Sequence, residues 1–153
     1  MALGNMAACD SLIATFDAKY EYNFWRPVTA IHNDLTDPDL AWMPLAMTPN
    51  FPEYVAGHGS FVSAQAEVYE YLFGPQIDVT LSSSITGTTR HYATAADLRT
   101  EIVNARTWAG LHFRNSSVLA VALGEQIVTD AVATYFIPDP NGQTFLYLPI
   151  IHR

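Results

Sequence analysis

Sulfur and positive charge are both scarce in this chain. It has one cysteine, Cys9, in 153 residues, which excludes an intrachain disulfide and a cysteine-based zinc site. Lys and Arg total 7 against 15 Asp and Glu, a formal net charge of −8. A broad basic face for nucleic acid cannot be built from that balance, so no nucleic-acid partner is expected. Apolar runs are too interrupted by polar residues to predict a membrane span. The opening MALGNMAACDSLIATFDAKY lacks a basic start followed by a long apolar core, so it does not read as a signal peptide. This suggests a soluble chain and leaves its compartment open. There is no internal repeat, low-complexity tract or flexible linker.

What remains is 50% hydrophobic and 12% aromatic, enough for one globular domain over residues 1–153. Its cations are few: Lys19, the sole lysine, and Arg26, Arg90, Arg99, Arg106, Arg114 and Arg153. In an acidic protein, a few cations that converge make a focused anion site against a repulsive background.

Helical periodicity accounts for most of the chain. Residues 2–20 have few breakers, and Pro27 to Ile31 suits a short helix with proline in its first turn. The prolines at 38, 44, 49 and 52 make residues 33–54 an irregular loop. Residues 58–73 read as a helix stopped by Gly74-Pro75. Residues 76–91 read as a loop. Thr94 and Asp97 suit a helix N-cap pair, followed by a helical face of Ala95, Leu98, Ile102, Ala105 and Ala109 that Gly110 ends. Asn115 or Ser116 is expected to cap a last helix over roughly 117–136, stopped by Pro138 and Pro140. The apolar tail, residues 137–153, is expected to pack on the body or on a partner. The fold class expected is all-α, a helical bundle.

Three segments carry polar groups beside apolar helix faces. Lys19 and Arg26 stand seven residues apart, about two helical turns, so on one helix they lean toward a common point. Val55-Ala56-Gly57-His58 enters a helix, where unpaired N–H groups attract anions and glycine allows close approach. His58 there is a candidate proton donor. Arg106 can grip an oxyanion with two N–H bonds, and His112 is a candidate nucleophile or ligand to an oxyanion centre. Taken singly, each segment also fits unrelated surface cations, a Gly-rich turn or an arginine at a helix end. Elsewhere, Glu67 and Glu70 read as a solvated helix side, Arg90 and His91 as loop residues, and Trp25 and Trp108 as core or channel aromatics. No His spacing matches a known zinc motif, and the acidic loop of Asp34, Asp37 and Asp39 lacks the EF-hand pattern.

In order, Lys19-x6-Arg26-Pro27, Gly57-His58 and Arg106-x5-His112 resemble the three-part signature of the superfamily joining type 2 phosphatidic acid phosphatases, bacterial acid phosphatases and vanadium-dependent haloperoxidases. The flanks DAKYEYNFWRPVTAI, PNFPEYVAGHGSF and ARTWAGLHFRNS are similar to the haloperoxidase-related branch. The resemblance implies a bundle of that type, truncated or minimal. It implies vanadate as cofactor, with phosphate able to substitute. Lys19, Arg26, Arg106 and the Gly57 N–H would hold the oxyanion. His112 would be the ligand to vanadium and His58 the acid–base group, so His58 and His112 are the catalytic pair. The partners implied are hydrogen peroxide and halide, giving hypohalous acid. The same pocket also suits phosphate-ester hydrolysis with His112 as nucleophile. A degenerate, non-catalytic oxyanion-binding protein is the third reading, because the chain departs from the family pattern. Ala56 and Ala105 stand where the family has serines, and Ser116 stands where it has the aspartate that orients the histidine. Haloperoxidase-like members also carry an additional N-terminal helical region, so the chain is expected to be a homo-oligomer or to lack that region.

Overall fold

The computed structural model describes residues 2–135. They form α1 (Ala2–Tyr22), α2 (Pro27–Ile31), α3 (Gly57–Phe73), strands β1 (Gln76–Ser82) and β2 (Thr89–Thr94), α4 (Ala95–Trp108) and α5 (Arg114–Thr134). The helical bundle is as expected. The apolar tail and the two prolines that were to stop the last helix lie outside the described residues.

Helix α1 stops where Asn23 turns left-handed (φ 43°), its N–H donating to the Lys19 carbonyl at 3.0 Å. Asparagine tolerates that conformation better than most residues. Arg26 is then extended (ψ 157°), as a residue before proline prefers, and Pro27 opens α2. This corrects the two-turn reading of Lys19 and Arg26, which do not share a helix. Helix α4 starts on the Thr94–Asp97 capping box, with both hydrogen bonds formed. Gly110 follows it at φ 73°. Helix α5 begins earlier than expected. Its N-cap is Phe113, without a side-chain cap, and Asn115 and Ser116 fall inside the first turn.

The segment 76–94, expected mostly as loop, contains an antiparallel hairpin with a register shift between Gln76 and Val79, where Asp78 has φ 46°. Its Ile77 and Tyr92 pack against Ala66, Ala95 and Leu98.

The bundle is held by small residues. Ala7, Ala8, Ser11, Thr15, Gly59, Ser60, Ser63, Ala64, Ser117, Ala120 and Gly124 are all buried. A Cβ added at Gly59 would lie 2.9 Å from the Ala120 Cβ, and one at Gly124 would lie 2.8 Å from the Ala64 nitrogen. Helices α3 and α5 therefore pack nearly backbone to backbone. Leu3, Val68 and Val128 fill the end of the bundle where α1, α3 and α5 meet. Among the described residues, α5 alone is long and apolar enough to cross a membrane, by length and composition. Here it buries Ser117, Ala120, Gly124, Val128 and Ala131 within the bundle.

Glu67 and Glu70 are not simply solvated. Arg99, only 12% exposed, pairs with Glu67, with Glu70 at 2.7 Å and with Glu125 at 2.9 Å, tying α3, α4 and α5 together. Trp108 is exposed on the surface, neither core nor channel.

Candidate functional site

A cavity of about 300 Å³ opens beside the start of α3. Lys19, Gly57, His58, Arg106 and His112 line it, with Phe16 and Phe51 among its apolar walls. Four of the five polar heads expected to converge do so. The fifth, Arg26, is not part of the lining and lies behind His112.

Each head is positioned differently. Lys19 is buried on α1, and its ammonium donates to the carbonyls of Pro52, Glu53 and Val55 at 3.0, 2.9 and 2.7 Å. This is why the proline-rich loop is ordered here. Its carbonyls turn inward because a buried cation satisfies them. Arg26 does the same with the carbonyls of Phe51, Pro52 and Leu111, and its Nη1 also lies 3.1 Å from His112 Nε2. The Phe51 ring lies under both cations, 5.3 Å from the Lys19 ammonium and 5.2 Å from the Arg26 guanidinium.

Arg106 contrasts with them. Its guanidinium makes no hydrogen bond or ion pair among the described residues, and its Nε is buried. This guanidinium, without an acceptor among the described residues, lines the cavity at the start of α3. The amides of Gly57 and His58, first in α3, donate to no backbone carbonyl among the described residues. Helix N-termini leave such groups pointing at whatever lies beyond them.

Glu53 was missed by the sequence reading and is central to the site. It is fully buried, and its Oε1 accepts from His112 Nδ1 at 2.7 Å and from the Phe113 N–H at 3.1 Å. Nδ1 thus carries the proton, and Nε2 turns its lone pair toward Arg26 and the cavity. The expectation that Ser116 orients His112 gives way to this contact. The Ser116 hydroxyl is buried without a hydrogen-bond partner among the described residues. The signal was a lone acid inside the apolar stretch Phe51-Pro52-Glu53-Tyr54-Val55.

Burial first, and then neighbouring charge, sets the protonation of the site. Lys19 is lowered to about 8 by burial and by Arg26 and Arg106, against the opposing pull of Glu53. His58, at the rim, is lowered by burial, Arg106 and Lys19. His112 is lowered by burial, which outweighs the raising effect of Glu53. Both imidazoles therefore favour their neutral form at neutral pH, beside a cavity lined by the cations Lys19 and Arg106, with Arg26 and Glu53 behind His112.

The replaced positions differ in their consequences. Ala56, at the α3 N-cap, offers no side-chain hydrogen bond. Ala105 lines a neighbouring groove beside the hairpin rather than this cavity. Arg90 and His91 sit on β2, engaged with Glu101 and Asp78. His32 bonds the Trp42 carbonyl at 2.9 Å. Among the described residues no cluster of His, Cys, Asp and Glu can hold a metal ion directly.

A family model described as the VCPO second helical-bundle domain matches residues 1–136. A vanadium chloroperoxidase of Curvularia inaequalis is 22% identical over 94% of this chain and 31% of its own length. Among solved structures, a bacterial vanadium-dependent iodoperoxidase superposes with a TM-score of 0.77 at 27% identity, over 85% of this chain and 32% of that one. A holo-type bacterial vanadium-dependent chloroperoxidase gives 0.70 at 22% identity, over 83% and 33%. The chain spans about a third of the length of the relatives it matches.

Proposed function

The chain belongs to the family of the VCPO second helical-bundle domain, and on that premise we propose that its cationic cavity binds vanadate for halide oxidation by hydrogen peroxide. The observation that carries this reading is Arg106, a cation without a partner among the described residues, lining the same hollow as His112, His58, Lys19 and the start of α3. These groups suit a tetrahedral oxyanion in charge and in donor chemistry. Arg106 and the Gly57 N–H would donate to its oxygens, Lys19, its ammonium held by three carbonyls, would add its positive charge, and His112 Nε2 would be the vanadium ligand. When bound, vanadate supplies Lewis acidity that makes peroxide more electrophilic toward halide.

The protein's own groups prepare that site. Glu53 keeps the His112 proton on Nδ1, so Nε2 is available as a ligand. Arg26 now donates to Nε2, and a ligand there replaces that hydrogen bond. Arg26 remains beside it as a fixed positive charge. His58, neutral because burial, Arg106 and Lys19 disfavour its cation, is ready to accept a proton at the rim. The apolar walls limit water around the charges and so strengthen their effect.

Titration with orthovanadate and phosphate, followed by oxidation assays with peroxide and iodide, bromide or chloride, tests this. Saturable binding and halide oxidation, both lost in His112→Ala and weakened by about a hundredfold in Arg106→Ala, are expected. Hydrolysis of a phosphate ester without halide oxidation would select a phosphatase using the same groups. Absence of saturable oxyanion binding would overturn both chemistries.

A further inference from the structure

Helices α1 and α5 leave a trough of about 550 Å³ along one seam. Ile13 of α1, Ile127 of α5 and Tyr135, the residue that follows α5, give it apolar walls. Ile13 is 64% exposed and Tyr135 78%, so this surface faces water. Asp10, Asp17 and Asp130 line the same trough. Asp130 accepts from the Gln126 side-chain amide at 2.9 Å, and none of the three is in an ion pair among the described residues. On α1 the lining runs from Asp10 to Asp17, and on α5 from Ile127 to Thr134. Each stretch is two helical turns, about 10.5 Å, the length of about three residues of extended chain.

We propose that this trough is the docking site of the chain's own apolar segment, residues 145–151 (FLYLPII), with His152 and Arg153 against its carboxylates. Reach permits it. Phe145 is ten residues beyond Tyr135, a span of at most about 33 to 36 Å, and Tyr135 itself lines the trough. Between them stands Pro138-Asp139-Pro140-Asn141-Gly142, residues that favour turns and suit a chain reversing past the end of α5. The chemistry matches as well. The segment is seven apolar residues in a row, and Pro149 opposes its continuing as a helix. From residue 140 to 153 there is no acid, and the two cationic groups come directly after the apolar run. In a chain of net charge −8 that is an uncommon complement to three carboxylates. The tether favours this occupant over a second copy. A short flexible linker gives an effective concentration of about 1 mM, so even an intrinsic Kd of about 100 µM fills the trough to about 90%. A separate molecule at micromolar concentration competes poorly with that. No residue of the trough lines the cationic cavity, so the proposal stands whatever guest that cavity takes.

Paramagnetic NMR on the 153-residue chain tests it. Cys9, the single thiol, is exposed and next to Asp10, so it takes a nitroxide label beside the trough without an added cysteine. Relative to the reduced label, amide signals within residues 145–151 should lose at least about half their intensity, as a mostly filled trough requires. Ile13→Glu, which sets a charge on the apolar wall, should restore most of that intensity. Asp10→Lys together with Asp130→Lys should also reduce the loss, because Arg153 then meets like charge. Unmoved amide signals elsewhere in the helices would show that these surface variants keep the fold. A mixture of isotope-labelled chain without nitroxide and nitroxide-labelled chain without isotope should show no loss. Full intensity in the unmutated chain, or a loss that persists in Ile13→Glu, would overturn the proposal. So would an equal loss in the mixture, which would give the trough to a second copy.

Discussion

Glu53 is buried completely, yet it lies in a loop with no helix or strand to hold it. Its place is fixed by bonds at both ends. The Glu53 N–H donates to the Phe24 carbonyl at 2.9 Å, the Glu53 carbonyl accepts from Lys19, and Oε1 accepts from His112 and Phe113. Glu53→Ala therefore strips the acceptor from two donors and the counter-charge from Lys19 and Arg26. Since each orphaned donor costs about 1 to 3 kcal/mol, a loss of about 2 to 5 kcal/mol in urea unfolding is expected. A loss below about 0.5 kcal/mol, typical of a surface change, would contradict the role given to Glu53. Lys19 gives a second test at this scale. Its folded pKa is about 8, below its ordinary value of 10.5, so it loses its charge in the folded chain as pH rises through about 8. A bound anion restores that charge by raising the pKa, so binding takes up a proton above this point. Affinity for sulfate, whose own charge is constant here, should then fall with a limiting slope of about one log unit per pH unit. Equal sulfate affinity at about pH 7 and about pH 9.5 would rule out Lys19 as a contributor. Lys19, His58, Arg106 and His112 were legible in sequence because ordered motifs mark them. Glu53 was not, because a proline-rich loop has no periodicity to say which of its side chains turn inward.

The helices place these residues through unusually close packing. His58 and Gly57 start α3, and the same turn of α3 meets α5 at Gly59, Ser60, Ala120 and Gly124. Contact this close requires residues without bulk, and Gly124 is the extreme case. A methyl there would strike the Ser60 carbonyl, the Ala64 nitrogen and the Ser63 Cβ, backbone and side chain together. Neither helix can yield without moving the start of α3. Gly124→Ala should lower stability by at least about 1 to 3 kcal/mol despite alanine's better helix propensity, and should weaken oxyanion binding as well. Leu119→Ala, on the exposed side of α5, is the control and should do neither. A stabilising Gly124→Ala would refute the close crossing. Long helices were legible from spacing because each buries one stripe. The hairpin was not, although Ile77, Val79 and Leu81 alternate through β1. Most of its side chains are exposed, so Ser, Thr and Gly dominate and the alternation is short. The start of α5 was misplaced for another reason. No side chain caps it, and the bond that fixes the preceding backbone comes from Glu53, distant in sequence.

Among the described residues, the molecule buries mostly small side chains and exposes many large ones. Leu35, Leu45, Met47 and Ile85 are each at least 85% exposed, and Ile13, Tyr20, Tyr22 and Phe73 at least 64%. A domain that stands alone in water usually arranges the reverse. The imbalance cannot be read from composition, because a 50% hydrophobic chain looks the same whether its large residues face in or out. It agrees with a chain that covers about a third of its relatives' length and meets further polypeptide across these faces. Among the described residues nothing covers these faces, and self-association of the isolated chain is the expected outcome. Sedimentation velocity should then show mass rising with concentration above 16.9 kDa, with association weakened by Leu45→Glu and Met47→Glu together. The cationic cavity lies elsewhere, lined by none of these residues, so that double variant should keep its sulfate affinity. A concentration-independent monomer that binds no hydrophobic dye would mean that water tolerates these faces as they are. Loss of sulfate binding in step with dissociation would mean instead that the oxyanion site is completed only by a neighbouring surface.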